Sequence, residues 1–147
     1  MYKKILVPTD GSPLSQEAVR QAVAFAKDAG AHITAFYAKP EAPMPQYIEG
    51  IQIDVELQKQ YDKMAEEQAQ KIIGAVQELC REAGVPCTTA TASNDSPYEA
   101  IIDAAQANGC DLIFMASHGR RGISGLLLGS ETSKVLTHSK IPVLVFR

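Results

Sequence analysis

The stretch "DLIFMASHGRRGISGLLLGS", from Asp111 to Ser130, joins an apolar run to a glycine-rich segment and a serine. Its first part, "DLIFMA" (Asp111–Ala116), is apolar at nearly every position instead of at alternate ones. Such a short continuous run is typical of a strand that is buried on both faces, as in a parallel sheet covered by helices. The stretch therefore predicts a strand, a long loop and a helix in an α/β fold.

The rest of the chain repeats this strand-then-helix order on both sides of the stretch. Further strands are predicted at Lys3–Pro8, His32–Ala38, Cys87–Ala92 and Ile141–Phe146. Helices are predicted from Ser12-Pro13 to Gly30, over Asp54–Ala83, from Ser96 to about Asn108, and over Ser130–Thr137. Alternating strands and helices of these lengths predict one doubly wound α/β domain over residues 1–147.

Local signals mark the helix ends. Ser12 followed by Pro13 is typical of a capping serine with proline at the first helical position. Ser96 with Glu99 three residues later predicts a capping box. Between the second strand and the long helix, "KPEAPMPQYIEG" (Lys39–Gly50) holds three prolines and predicts irregular structure.

Composition excludes several classes of protein. The chain has 147 residues, 46% of them apolar, and a net charge of −3, so no general electrostatic surface for nucleic acid is expected. It has no apolar run long enough to span a membrane and no signal-peptide pattern. Its three cysteines, Cys80, Cys87 and Cys110, lack metal-binding spacing and favour a reducing compartment. A soluble cytoplasmic protein is predicted.

The glycine-rich loop has the composition of a phosphate site. Ser117–Gly129 is longer than the connections of about two to six residues usual in α/β units. Glycines let backbone N–H groups approach an anion, and the helix that starts at Gly129-Ser130 adds unpaired N–H groups and a positive dipole end. Arg120 and Arg121 would add charge if they are not simply solvated. A plain flexible connector is the alternative.

Other sites are less well supported by the residues. Lys134 stands five residues after Gly129, so the loop is not a Walker P-loop, and no GxGxxG follows the first strand. A response-regulator site needs an acidic pair after that strand, where this chain has only Asp10. His118 is either a phosphate donor or a solvated side chain. No carboxylate pair and no serine–histidine–carboxylate set is predicted, so any hydrolysis at this site would be slow and depend on positioning.

The spacing Ala116-x2-Gly119-x9-Gly129-Ser130 resembles the Gly-x2-Gly-x9-Gly-(Ser/Thr) motif of the universal stress protein family. The opening "KKILVPTDGS" and the ending "SKIPVLVFR" resemble the first and last strands of that family. The resemblance implies a five-stranded parallel sheet in the order 3-2-1-4-5. It also implies a homodimer formed through Pro142–Phe146 and an unidentified downstream protein partner.

The resemblance further implies that the chain binds ATP with Mg²⁺ as a stress-response or signalling module. Asp10 would lie near the ribose and the metal, Ala38 near the adenine, and the glycines near the phosphates. The predicted ATP-binding residues are Pro8, Thr9, Asp10, Ala38, Ala116, His118, Gly119, Arg120, Gly122, Gly129, Ser130, Glu131 and Thr132.

Two questions stay open on the sequence alone. Ala116 replaces the first glycine of the motif, and its one methyl group is expected to weaken nucleotide binding modestly and not to abolish it. The ligand could be ATP, AMP or a cyclic nucleotide. The alternative function is a ligand-free dimeric interaction protein of the same fold.

Overall fold

A computed structural model describes residues 1–41, 55–119 and 128–147. Strands and helices alternate along the described chain. They are β1 (Lys4–Pro8), α1 (Pro13–Ala29), β2 (His32–Lys39), α2 (Val55–Ala83), β3 (Cys87–Ser93), α3 (Pro97–Ala107), β4 (Leu112–Ala116), α4 (Ser130–His138) and β5 (Val143–Phe146).

The five strands form one parallel sheet in the order β3-β2-β1-β4-β5. This confirms the predicted fold class and strand order. The central strand β1 pairs with β2 on one side, Lys4 opposite His32, and with β4 on the other, Ile5 opposite Leu112. The winding direction reverses between β1 and β4, so the loops that follow these two strands open at the same edge of the sheet.

Helices cover both faces of the sheet, and each face has its own core. On one face α1 and α2 pack over Ile5 and Val7 of β1; on the other, α3 and α4 pack over Leu6. All five residues of β4 are buried, as the apolar run predicts. Burial on both faces accounts for the absence of an alternating pattern in the sequence of these strands.

The ends of α1 are formed as the sequence predicts. The Ser12 hydroxyl accepts the backbone N–H of Ser15 at 3.3 Å, and Pro13 is the first helical residue. Gly30 follows the helix with φ of +64°, the left-handed conformation that glycine adopts without a steric penalty. The segment 42–54, which contains two of the three prolines of the predicted irregular stretch, lies outside the described residues.

The capping box predicted for α3 is wrong. Ser96 makes no side-chain cap, and the backbone N–H of Tyr98 donates instead to the Glu131 carboxylate of α4 at 2.9 Å. A carboxylate at a helix N-terminus accepts an otherwise unpaired N–H and interacts favourably with the dipole. The cap is therefore supplied by a neighbouring helix and not by the local sequence.

The fourth and fifth strands begin later in the chain than the sequence predicts. Asp111 lies before β4, and its carboxylate accepts the backbone N–H groups of Lys3 at 2.9 Å and Lys4 at 3.0 Å. β5 begins at Val143 and not at Ile141. Within residues 1–41, 55–119 and 128–147, no helix has the length and hydropathy needed to cross a bilayer.

Candidate functional site

The loops after β1 and β4 meet at the edge of the sheet, and Asp10 and Gly119 are in direct contact there. A Cβ atom built on Gly119 would overlap the Asp10 carboxylate oxygen Oδ2. Glycine at position 119 therefore allows the backbone after β4 to lie against the acidic side chain after β1. The contact brings together the two loops that hold the predicted site residues Asp10 and Gly119.

The loop after β1 is held by a compact set of hydrogen bonds. Thr9 continues the ladder, its N–H donating to Phe36 O at 2.9 Å, and its hydroxyl oxygen accepts the N–H of Gly11 at 3.2 Å. Asp10 Oδ1 accepts the N–H of Ser12 at 2.9 Å. Ser15 accepts the Asp10 N–H at 3.2 Å and donates to the Thr9 hydroxyl oxygen at 2.8 Å. This network fixes the backbone between the strand and α1.

The start of α4 is tied to the end of β4 by two hydrogen bonds. The Gly129 N–H donates to Ser117 O at 2.7 Å, and the Thr132 hydroxyl donates to Ala116 O at 2.9 Å. Gly129 is also packed closely, since a Cβ there would stand 3.0 Å from His118 Cβ and 3.2 Å from Ser117 O. The helix N-terminus is thus held against the carboxyl end of the strand.

α4 begins without a side-chain cap. Gly129 occupies the capping position with an extended backbone, φ −70° and ψ 161°, and has no side chain with which to accept a helical N–H. Ser130 is the first helical residue and is exposed. An uncapped first turn leaves N–H groups and the positive end of the dipole available to an anion.

Two predicted site residues of α4 use their side chains within the protein. Thr132 is 2% exposed, and its hydroxyl proton is directed to Ala116 O. Glu131 accepts the Tyr98 N–H and the Lys134 ammonium, the latter at 3.4 Å. These two side chains hold the helix in place against β4 and α3.

The remaining predicted residues border the same edge of the sheet. Pro8 ends β1, and Ala38, half-buried, lies at the end of β2. The His118 ring nitrogen Nδ1 and the Ser117 hydroxyl are 3.2 Å apart, just before Gly119. Arg120 and Gly122 lie outside the described residues.

The described part of the site holds few ionisable groups. No set of three or more histidine, cysteine, aspartate and glutamate side chains is arranged for a metal within residues 1–41, 55–119 and 128–147. Asp10 contributes a carboxylate at the ends of β1 and β4. Mg²⁺ takes one or two protein carboxylates beside phosphate oxygens and water, so Asp10 fits the role of a single protein ligand.

Sequence reasoning missed Ser15 and the partner of Glu131. Ser15 lies one turn before Ala18 and Val19 on the buried face of α1, and a serine on such a face needs a hydrogen-bond partner. A serine on the buried face of α1 therefore indicated, from the sequence alone, a side chain that forms a hydrogen bond inside the protein. No comparable signal links Glu131 to Tyr98, because the contact depends on how α3 and α4 pack.

Comparison with known proteins agrees with the geometry. The model of the universal stress protein family matches residues 1–147. A universal stress protein of Thermus aquaticus is 32% identical over 147 residues and is covered completely, as is this chain. Another, MJ0531 of Methanocaldococcus jannaschii, is 30% identical over 150 residues, with all of this chain and 83% of the relative covered.

Similar folds are found among solved structures. MJ0577 matches with a TM-score of 0.82 and 28% identity, covering 99% of this chain and 95% of that one. A universal stress protein solved in complex with cAMP matches with a TM-score of 0.72 and 26% identity, covering 99% and 97%. With the family model matched from end to end and the sheet order observed, the chain belongs to the universal stress protein family.

Proposed function

We propose that this chain binds ATP at the edge of the sheet where β1 and β4 end, and that it acts as a stress-response or signalling module in the cytoplasm. The phosphates would bind the first turn of α4, the ribose would lie near Asp10, and the adenine would lie near Ala38. Hydrolysis, if it accompanies binding, would be slow, because no general base pair is among the described residues of the site.

The observation that carries the proposal is the uncapped start of α4 beside the loop after β1. α1, the other helix that begins at this edge near the switch point, has a serine cap, whereas Gly129, the capping residue of α4, has no side chain that could accept the first N–H groups. A glycine loop leading into such a helix is the usual arrangement for phosphate binding.

Mg²⁺ would accompany the nucleotide, with Asp10 as its protein ligand. The ion would neutralise phosphate charge, which this acidic chain of net charge −3 cannot do by its overall field. Asp10 is fixed by the Ser12 N–H and by its contact with Gly119, so its carboxylate is oriented before the ligand arrives.

The similarity to known proteins supports an adenine nucleotide. The relative solved with cAMP shares 26% identity over nearly the whole chain. That ligand has the adenine and ribose of ATP but one phosphate group, so the phosphate count must be measured for this chain.

Isothermal titration of the full chain with ATP, AMP and cAMP, each with and without Mg²⁺, tests the proposal. We expect micromolar affinity for ATP that falls when Mg²⁺ is removed, because charge-assisted hydrogen bonds of about 1.5–3 kcal/mol each must offset an association cost of at least ~4 kcal/mol. No heat and no thermal shift with ATP up to millimolar concentration would refute it. Mass spectrometry of the denatured, gently purified protein would identify a co-purified nucleotide.

A second candidate function, a dimeric interaction protein, is favoured by β5. This outer strand pairs with β4 on one side, and its four residues Val143–Phe146 are apolar and half-buried. An apolar edge strand can pair with another chain. We propose a homodimer through Pro142–Phe146, which would contact a downstream protein in its nucleotide-loaded state or, in this alternative function, without a ligand.

Sedimentation equilibrium tests the dimer. Val145 is half-buried and belongs to neither core cluster of the residues that the structure describes, so Val145→Lys adds a charge to the edge with little effect on these clusters. We expect the wild type to sediment as a dimer and this variant as a monomer that still binds ATP. A variant that is still dimeric would place the interface elsewhere, and a monomeric wild type would refute the homodimer.

A further inference from the structure

Ser15 has a buried hydroxyl group that forms hydrogen bonds with Thr9 and Asp10, the two residues that follow β1. It lies in the first turn of α1 and is 3% exposed, among side chains that are otherwise mainly alanine and valine. Its oxygen accepts the Asp10 N–H at 3.2 Å, while its proton goes to the Thr9 hydroxyl oxygen at 2.8 Å. One side chain therefore contacts the backbone of Asp10 and the side chain of Thr9.

These contacts determine the orientation of the peptide that joins Thr9 to Asp10. Without the Ser15 oxygen, the Asp10 N–H would lose this acceptor in a part-buried position, and a rotation of the peptide in response would also move the Asp10 side chain. Asp10 in turn lies against Gly119. A change at Ser15 is therefore transmitted to the contact between the two loops.

We infer that Ser15 is a positioning residue of the nucleotide site, which sets the affinity for Mg²⁺–ATP through Asp10 without contacting the ligand. This inference rests on the proposed function. It differs from a purely structural role, in which Ser15 would only stabilise the start of α1, because that role would leave the binding of ATP unchanged.

Ser12 offers the matched control. Its hydroxyl caps α1 by accepting the Ser15 N–H at 3.3 Å, and its own N–H, which an alanine keeps, donates to Asp10 Oδ1. Ser12→Ala therefore weakens the helix start and retains the hydrogen bonds of Ser15 with Thr9 and Asp10. Ser15→Ala removes those hydrogen bonds and retains the cap.

The experiment measures Kd for Mg²⁺–ATP and the unfolding midpoint of the wild type, Ser12→Ala, Ser15→Ala, Asp10→Asn and the Asp10→Asn/Ser15→Ala double variant. We expect both serine variants to unfold at lower temperature. Ser15→Ala is expected to bind about tenfold more weakly, which corresponds to about 1.4 kcal/mol and is the size of one neutral hydrogen bond. Ser12→Ala should stay within about twofold of the wild type, and Ser15→Ala should add little to Asp10→Asn because the two act through one group.

The outcomes separate the inference from the proposed function. If the wild type does not bind ATP, the proposed function is refuted and the inference falls with it. Two results would refute only the inference while the wild type binds ATP. In the first, Ser15→Ala has the same Kd for Mg²⁺–ATP as Ser12→Ala. In the second, the loss of affinity caused by Ser15→Ala adds fully to the loss caused by Asp10→Asn in the double variant. If Ser15→Ala does not fold, Ser15→Cys, whose thiol is a weak hydrogen-bonding group, is expected to give an intermediate loss; wild-type affinity there would refute the inference.

Discussion

Gly119 lies against the carboxylate of Asp10 so closely that a methyl group on its Cα would overlap Oδ2. The contact joins the loops that follow the two strands on either side of the switch point. Because Asp10 Oδ1 is held by the Ser12 N–H, the carboxylate can move aside only by giving up that hydrogen bond. The geometry of the proposed ribose and metal site therefore depends on the absence of a side chain at position 119.

Gly119→Ala is expected to weaken Mg²⁺–ATP binding by about tenfold or more, because its Cβ would displace the Asp10 carboxylate from the position that the proposed site requires. Gly119 is exposed and lies outside the regular elements, so the unfolding midpoint should change little. Titration calorimetry and thermal unfolding measure the two effects.

Gly74→Ala is the matched control for this change. Gly74 lies within α2, and a Cβ there would meet nothing within 4 Å. Alanine should stabilise the helix by about 0.5–1 kcal/mol and leave ATP binding unchanged. Unchanged affinity in Gly119→Ala would show that the contact with Asp10 has no part in the site.

Gly129→Val is expected to abolish ATP binding without unfolding the protein. Its Cβ would stand 3.1 Å from His118 Cα and 3.2 Å from Ser117 O, which are backbone atoms that cannot swing away. The start of α4 must therefore shift from the strand end, at a cost of about 1–3 kcal/mol. Circular dichroism in the far ultraviolet checks that the variant is folded, and titration calorimetry measures its affinity for ATP. A folded variant that binds ATP as tightly as the wild type would contradict the assignment of this turn to the phosphates.

The sequence was sufficient for the fold because local and tertiary signals agree in it. The apolar run of β4, the cap of α1 at Ser12 and the left-handed Gly30 are each specified by neighbouring residues, and their order leaves few possible topologies. The cap of α3 is different, since Ser96 has the right local pattern but Tyr98 binds Glu131. The Glu131 side chain of α4 caps α3 in place of Ser96, and no spacing in the sequence indicates that contact.

The candidate site divides in the same way. The glycine spacing predicts a phosphate loop, and the contact of Gly119 with Asp10 brings the two predicted loops together. The roles of Thr132 and Glu131 depend on which neighbour each side chain meets after packing. Their hydroxyl and carboxylate groups are committed to Ala116 O and to the Tyr98 N–H.

Asp111 is expected to make folding stability depend on pH in the acid range. Burial opposes its ionisation, but the backbone N–H groups of Lys3, Lys4 and Asp111 itself together lower its pKa below the usual value. A lowered pKa in the folded state contributes stability that is fully present above the unfolded pKa of about 3.9 and is lost as the pH falls through the folded value.

Asp111→Asn should therefore lower the free energy of unfolding by about 1 kcal/mol at pH 7, since hydrogen bonds to a charged acceptor are replaced by neutral ones. The difference from the wild type should shrink to near zero at the acid end. Urea unfolding from pH 2 to pH 7 measures it, and a difference that is independent of pH would contradict the role of the charge.

Cys87 is expected to react with thiol reagents before the other two cysteines. A hydrogen bond from the Cys80 thiol lowers the pKa of Cys87, whereas the same contact and burial raise that of Cys80, and burial raises that of Cys110. Cys87 is also half-buried, while Cys80 and Cys110 are 0% and 6% exposed. Thiolates are the reacting species, so both pKa and access favour Cys87.

Iodoacetamide labelling followed by peptide mass spectrometry tests this order between pH 6 and pH 9. The labelling rate of Cys87 should begin to rise at a lower pH than the labelling rates of Cys80 and Cys110. The Cys87→Ser variant should react slowly at every pH in this range. Faster labelling of Cys110 in the native state would contradict the expected order.

Glu131→Gln is expected to tighten ATP binding. Glu131 lies in the first turn of α4, where its negative charge acts against an incoming phosphate at the same helix end. The Glu131 carboxylate has a structural role, because it accepts the Tyr98 N–H and so caps α3. Glutamine keeps an oxygen that can accept that N–H and removes the charge, so affinity should rise about fivefold, which corresponds to about 1 kcal/mol of repulsion between charges near water.

Salt and a second variant separate charge from packing. The gain of Glu131→Gln should fall as ionic strength rises, because exposed charges are screened within about 10 Å at 0.1 M salt. Glu131→Ala removes the same charge together with the cap of α3, and should bind ATP as tightly while unfolding about 1 kcal/mol more easily. Weaker ATP binding by both variants would instead show that the Glu131 carboxylate serves the ligand directly, as a partner for the metal or the ribose.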